Sequence, residues 1–144
     1  MKSNQDGPEG SAKMRNSVVL RFVGQAVDPT IISEVLELVP SETRVRGADA
    51  PQHAGRKWPT GLWSLDSPLP ESSPLSDHVR HFAQLLQTKQ DALARLAATR
   101  GWRPDLVCGV FGEDPSKTAV ILDAPLLEEL GRLGVSLYIS FYNQ

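Results

Sequence analysis

Apolar and polar residues alternate along several stretches of the chain, and a period of two is typical of a β-strand with one buried and one solvent-facing side. This pattern predicts strands over residues 17–23, 62–66 and 135–142. Arg21 lies on the polar side of the first strand, and Tyr138 and Tyr142 share one side of the last. A mostly apolar run over residues 103–111 predicts a central strand that is covered on both faces.

Apolar residues at the 3.6-residue period predict three helices. Asp28, Ser73 and Asp123 each stand where a side-chain oxygen can accept hydrogen bonds from the free amides of a helix's first turn. The first helix starts at residue 29 and is closed by Pro40; the others cover residues 74–99 and 124–133. The second would be roughly 39 Å long, more than a small sheet can cover, so we expect its far end to project or bend.

Two further segments complete the predicted sheet. Residues 117–122 follow a turn cluster of Gly, Asp, Pro and Ser, and we expect them to form a hairpin with the strand at 103–111. Residues 41–46 form a candidate short strand. The order of elements predicts an α+β fold: a mostly antiparallel five- or six-stranded sheet with helices packed on one face and ferredoxin-like βαββαβ elements.

The sheet face opposite the helices would carry Arg21, Tyr138 and Tyr142. Such an aromatic-bearing face is either a solvated surface or one that binds a partner, including a second copy of the chain as a homodimer. The alternation of side chains does not distinguish these two interpretations.

The chain has 144 residues, which favours one domain. Residues 1–16 are polar, with no apolar period, and are assigned to a disordered tail; residues 17–144 form the domain. A net charge of -2 provides no field for binding nucleic acid. With no membrane-spanning segment, no signal peptide and the single Cys108, a cytoplasmic location is expected.

The most distinctive segment is residues 56–66, which holds two of the three tryptophans, Trp58 and Trp63. On one interpretation, both indoles are anchors in the core. On the alternative interpretation, Trp58 borders a binding groove in which cations and an indole recognise an anion or an acidic side chain. The residues that could line such a site are Arg44, Arg46, His53, Arg56, Lys57, Trp58 and Trp63.

Convergence of these cations depends on the loop before Trp58 folding back. Arginines brought together there could hold a carboxylate or a phosphate through two parallel hydrogen bonds. The alternative is a charged loop rim whose cations compensate the nearby Glu42, Asp49 and Asp66.

The side chains suggest no catalytic centre. Cys108 lies in an apolar run, so we interpret it as a buried, inert thiol. His78 and His81 are spaced to face one metal, but no further ligands complete a site, and both are interpreted as solvent-facing. No phosphate-binding loop or serine nucleophile motif is present. We therefore expect no catalytic residue, cofactor or metal.

Several segments in this order resemble the DUF4279 family, small bacterial domains without an assigned activity. They are residues 20–24 (LRFVG) with Asp28-Pro29, residues 60–65 (TGLWSL), residues 104–111 (PDLVCGVF), and residues 126–138 with their LGVSLY end. The resemblance covers residues 17–142. It implies no catalytic residues, because the family supplies none.

These observations leave three hypotheses for function. The first is a non-enzymatic binding domain that recognises a protein partner, for example an immunity-type inhibitor of a bacterial toxin. The second is a domain that binds a small anionic ligand through the cluster of arginines with Trp58. The third is a hydrolase with an unrecognised site.

Overall fold

The computed structural model describes residues 14–52, 55–113 and 119–143. In chain order its elements are β1 (Arg15–Gly24), α1 (Pro29–Leu36), β2 (Glu42–Arg44), β3 (Gly61–Asp66), α2 (Leu75–Gln87), α3 (Gln90–Arg100), β4 (Asp105–Gly112), α4 (Ala124–Leu133) and β5 (Ser136–Asn143). β1 begins two residues earlier than the strand predicted at 17–23. Most of the predicted tail, residues 1–13, lies outside the described residues.

The five strands form one mixed sheet in the order β2-β3-β1-β4-β5. β1 is the central strand and pairs antiparallel with both β3 and β4, and β2 pairs antiparallel with β3. β5 runs parallel to β4, because the connection between them crosses over the sheet through α4. The predicted α+β class, with a mostly antiparallel five-stranded sheet, is confirmed.

The prediction of a hairpin at the end of β4 is wrong as far as the described residues show. Residues 119–122 form no strand, and residues 117 and 118 lie outside the described part. The physical reason is that β4 is hydrogen-bonded to β1 on one side and to β5 on the other, so it has no free edge for a hairpin partner. The ferredoxin-like arrangement is therefore not confirmed.

The helix ends follow the predicted caps at two of three places. The Asp28 carboxylate accepts a hydrogen bond from the Thr30 amide, and the Asp123 carboxylate accepts one from the Leu126 amide, both at 3.0 Å. The helix predicted over residues 74–99 is two helices, since Lys89 adopts a non-helical φ of -117° between α2 and α3. Both helices bury apolar side chains.

The core lies between the helices and one side of the sheet. Alternate residues of β1 and β4 point into it and are fully buried, and the side chains of α2 cover them. On its other side β4 is only half-buried, so the prediction that this strand is covered on both faces is wrong. The helices therefore protect one sheet face and leave the other to the surface.

Candidate interaction surface

Trp63 is part of the core rather than part of a surface. Its side chain is 0% exposed, and it packs edge-to-face on Phe22 with ring centroids 5.9 Å apart. Its indole Nε1 donates a hydrogen bond to the Ser33 hydroxyl at 3.0 Å, which ties β3 to α1 and satisfies the buried polar atom. No ligand or partner can reach this indole in the folded chain.

The loop before β3 folds back on itself, as the sequence interpretation required. The Gly47 amide donates to the Trp58 carbonyl at 2.9 Å, and the Trp58 amide donates to the Ala48 carbonyl at 2.9 Å. An isolated antiparallel bridge between Asp49 and Lys57 extends this pairing. His53 lies outside the described residues. The fold-back holds Trp58 beside β2.

The cations of this region are partly neutralised. Arg44 donates from Nε to the Glu42 carboxylate at 2.9 Å, and its guanidinium carbon lies 4.2 Å from the centroid of the Trp58 ring. Lys57 forms an ion pair with Asp49. These contacts agree with the second interpretation of the loop, a charged rim in which acidic residues compensate the cations.

Arg46 and Arg56 are exposed, and neither makes an ion pair within the described ranges. The structure thus brings Arg44 and Trp58 together and pairs Lys57 with an acid. In the described part of the chain, no hydrogen bond, ion pair or ring contact joins the side chain of Arg46 or Arg56 to the Arg44–Trp58 pair or to the Lys57–Asp49 pair. Within the described residues the cluster is a charged rim in which Arg46 and Arg56 have no ion-pair partner.

The sheet side opposite the helices exposes large side chains. We call this side the open sheet face. The bulky side chains on it include Val19, Arg21, Val23, Val107, Phe111, Tyr138 and Tyr142. Tyr138 is 56% exposed, Tyr142 48% and Val23 43%, and the strand register places them on the same side as Arg21.

An ion pair lies across the middle of the open sheet face. Arg21 on β1 donates from Nε and Nη2 to the two carboxylate oxygens of Asp105 on β4, each at 3.0 Å. This two-bond geometry is the strongest form of such a pair. The hydrogen bond to Asp105 raises the pKa of Arg21 above its ordinary value. The pair fixes both side chains and cancels their charge.

An aromatic stack occupies the far end of the open sheet face. The rings of Phe111 and Tyr142 are 4.8 Å apart and inclined by 13°, and the Arg15 guanidinium lies 5.0 Å from the Phe111 centroid. A Cβ on Gly109 would come within 2.9 Å of the Phe111 ring. Glycine at this position therefore leaves room for the Phe111 ring, which stacks on Tyr142 of the neighbouring strand.

The cationic loop and the open sheet face are one continuous surface. Arg44 is paired across the strands with Leu62, and Leu62 with Val23, so all three lie in one row on the same side of the sheet. The Arg44–Trp58 contact therefore forms a corner of the open sheet face. The two regions are separate candidates in the sequence because their adjacency depends on strand order.

The remaining reactive side chains are inaccessible. His78 is 1% exposed, with Nδ1 2.7 Å from the Ser67 hydroxyl oxygen, so its prediction as a solvent-facing residue is wrong. Burial lowers the pKa of His78 and raises the pKa of the Cys108 thiol to about 12. Within residues 14–52, 55–113 and 119–143, no three metal-binding side chains cluster.

Among the helices that the structure describes, none has the length and apolar character needed to cross a bilayer.

The fold and surface define a class: an α+β domain with a five-stranded mixed sheet, backed by helices on one face and aromatic on the other. The chain belongs to the DUF4279 family, a domain of unknown function, whose family model matches residues 12–144. This confirms the resemblance inferred from the sequence. Searches of curated proteins and of solved structures each returned no match.

Proposed function

We propose that this domain is a non-enzymatic binding module that recognises a protein partner through the open sheet face. The observation that supports it is the exposure of Val23, Tyr138 and Tyr142 on one side of a rigid sheet. Scattered exposed apolar residues are ordinary on a surface, but several on one face around an ordered ion pair are typical of an interaction site.

The side chains on this face have the chemistry that protein interfaces favour. Tyrosine and arginine are enriched where a few residues provide most of the binding free energy. Tyr142 is already held by its stack on Phe111, and Arg21 is held by Asp105, so little conformational entropy is lost when a partner binds. Because the ion pair is neutral, we expect the partner to present an uncharged apolar surface with polar groups around it.

Enzymatic function is less well supported by the described residues. The Ser67–His78 contact resembles half of a nucleophile and base arrangement, but the buried ring cannot be reached by a substrate. The Cys108 thiol is buried and not ionised near neutral pH. Anion binding stays a prediction, because Arg44 and Lys57 already have acidic partners.

The concrete form of the proposal is an immunity-type inhibitor that covers a bacterial toxin with this face. Inhibitors of this kind need a rigid complementary surface and no chemistry of their own. A gene for a toxin beside the gene for this chain would name the partner, and mixing the two purified proteins would then measure the complex directly.

The experiment that tests the proposal is affinity capture from the source cells with matched variants. Val23→Asp places a charge on the open sheet face at β1, and Val39→Asp places the same charge at an exposed valine outside the sheet. We expect one stoichiometric protein with the wild type and with Val39→Asp, and about tenfold or more weaker capture with Val23→Asp. Equal capture by both variants, or no stoichiometric protein at all, would refute the proposal.

A further inference from the structure

The two edges of the sheet differ sharply. In the part of the chain that the structure describes, β2 pairs only with β3 and β5 pairs only with β4. β2 is three residues long and carries the Glu42–Arg44 ion pair, and both properties discourage further pairing. β5 is eight residues long and carries no charge. The edge at β5 is therefore the one able to accept another strand.

β5 lacks the devices by which proteins block an exposed edge. Its sequence, SLYISFYN, has no lysine and no proline, and its pairing with β4 continues through eight residues without a bulge. Phe141 belongs to the helix-facing side of the sheet, yet it is 47% exposed. The helices thus leave the sheet uncovered at this edge, and the open sheet face is exposed there at Tyr138 and Tyr142.

The ladder to β4 shows which backbone groups of β5 are free. The Ser136 amide donates to the Pro104 carbonyl at 3.3 Å, so the backbone groups of Ser136 point toward β4. Because successive residues of a strand point in opposite directions, those of Leu137, Ile139 and Phe141 point to the free edge. A new strand would bond to these three residues without disturbing the existing ladder.

We propose that β5 pairs antiparallel with β5 of a second copy of this chain, about a two-fold axis at Ser140. In this register Ser140 faces Ser140 of the second copy. Tyr138 faces Tyr142, and Ile139 faces Phe141, in both directions. Ile139 and Phe141 form the hydrogen-bonded pair that the free backbone groups require. The two tyrosines form the closer non-hydrogen-bonded pair, in which aromatic side chains pack well.

Charge and symmetry favour a second copy over another occupant. A strand without charges meets itself with no like-charge repulsion, and this register matches aromatic with aromatic and apolar with apolar. The contact uses the same edge on both copies. The opposite edge, at β2, is too short to pair well with a further strand. The assembly therefore closes as a dimer with a ten-stranded sheet instead of growing into a fibre, and both open sheet faces lie on one side.

The dimer does not depend on the proposed partner binding, and the two can fail separately. Val23→Asp, on the inner strand β1, disturbs partner binding and leaves the β5 edge intact. A change at Ser140 disturbs the dimer.

The first test is the mass of the full chain in solution by sedimentation equilibrium. We expect the wild type to have twice the mass of one chain. Ser140→Lys places two like charges opposite each other across the axis and should weaken association by about tenfold or more. The control Ser17→Lys adds the same charge to an exposed serine of β1 on the same face and should remain dimeric.

Circular dichroism is the control that both lysine variants fold. A wild type that stays at the mass of one chain at its highest soluble concentration would overturn the proposal. The β5 edge would then be available for pairing with a strand from a different protein. Equal association by Ser140→Lys and wild type would also overturn it.

A second test fixes the register. Residues opposite each other in a non-hydrogen-bonded pair have Cα atoms about 4.5 Å apart, within the range of a disulfide. Under mild oxidation Ser140→Cys should form a disulfide between two copies, while Ser136→Cys, on the same strand but far from the axis, should not. Cys108 is buried and does not compete. A dimer in which Ser140→Cys fails to cross-link, or Ser136→Cys cross-links equally, would overturn this register.

Discussion

The indoles of Trp58 and Trp63 belong to one short segment but have different environments. Trp63 is enclosed by Phe22 and hydrogen-bonded to Ser33, whereas Trp58 is half-buried beneath the Arg44 guanidinium. The difference follows from the side of the sheet that each residue meets. Residues of one type in one motif can therefore stabilise the core and form the surface, and only their contacts distinguish the two roles.

His78 has a comparable structural role. Its imidazole bonds to Ser67, and the carbonyls of Pro70 and Ser73 and the charges of Asp77 and His81 act on it. Burial, with a smaller contribution from His81, outweighs the effects of Pro70, Asp77 and Ser73 and lowers the pKa of His78 from the ordinary value of 6.5. The lowered pKa favours the neutral ring near neutral pH, and the bond to Ser67 anchors the connection between β3 and α2.

We predict that His78 makes stability depend on pH below neutrality. The unfolded chain binds a proton at about pH 6.5, and the folded chain resists it until lower pH. The stabilisation is complete above about pH 6.5 and is lost as the pH falls from there to the lowered folded pKa. Urea unfolding across this pH range should show that the free energy of unfolding of the wild type rises with pH. The His78→Gln variant should lose this pH dependence, and the His81→Gln variant should retain it. An unchanged slope in His78→Gln would contradict this account.

At the scale of the elements, β3 is placed by a close approach of two backbones. Gly61 begins β3 beside the turn that leads from β1 into α1, and a Cβ there would lie 1.9 Å from the Val27 carbonyl oxygen. Only glycine permits this approach, because the obstacle is backbone and cannot rotate away. The approach positions β3 so that Trp63 enters the core.

We predict that Gly61→Ala lowers the free energy of unfolding by about 1–3 kcal/mol, because the backbone must shift to accept the methyl group. Gly131→Ala is the matched control. It lies within α4 with open space around the added Cβ, so it should stabilise the helix by about 0.5–1 kcal/mol. Urea denaturation measures both variants, and equal effects of the two would show that the close approach does not matter.

At the scale of the whole molecule, the helices and the central strands form one hydrophobic core. Cys108 lies at the middle of β4, which is held between β1 and β5, and its side chain is fully buried. The strand cannot expose this thiol without losing pairing on both sides. Access to Cys108 therefore reports on opening of the whole sheet.

We predict that native Cys108 reacts with alkylating reagents only through unfolding, since burial raises its pKa to about 12. Its labelling rate should rise with denaturant as steeply as global unfolding does. The thiol of Ser136→Cys, on the exposed side of β5, should react at the rate of a free thiol in the native state. Rapid labelling of Cys108 without denaturant would contradict the prediction.

The sequence by itself determined most of the elements and the buried sides of β1, β3 and β5. Alternation fixed the inward residues of β1 and β5, and the caps at Asp28 and Asp123 fixed two helix starts, because these signals depend on neighbours in the chain. The hairpin after β4 and the unbroken helix over residues 74–99 were wrong. In both places the local pattern was outweighed by tertiary contacts, from β5 and from packing at the helix break.

Only the tertiary structure decided which surfaces adjoin. It put Trp63 in the core, joined the Arg44–Trp58 corner to the open sheet face, and left β5 at an edge. Strand order and parallel pairing arise from contacts between residues far apart in sequence, which no short pattern contains. For this reason the sequence predicted the polar and apolar sides of β1, β3 and β5, while the extent of the open sheet face required the assembled sheet.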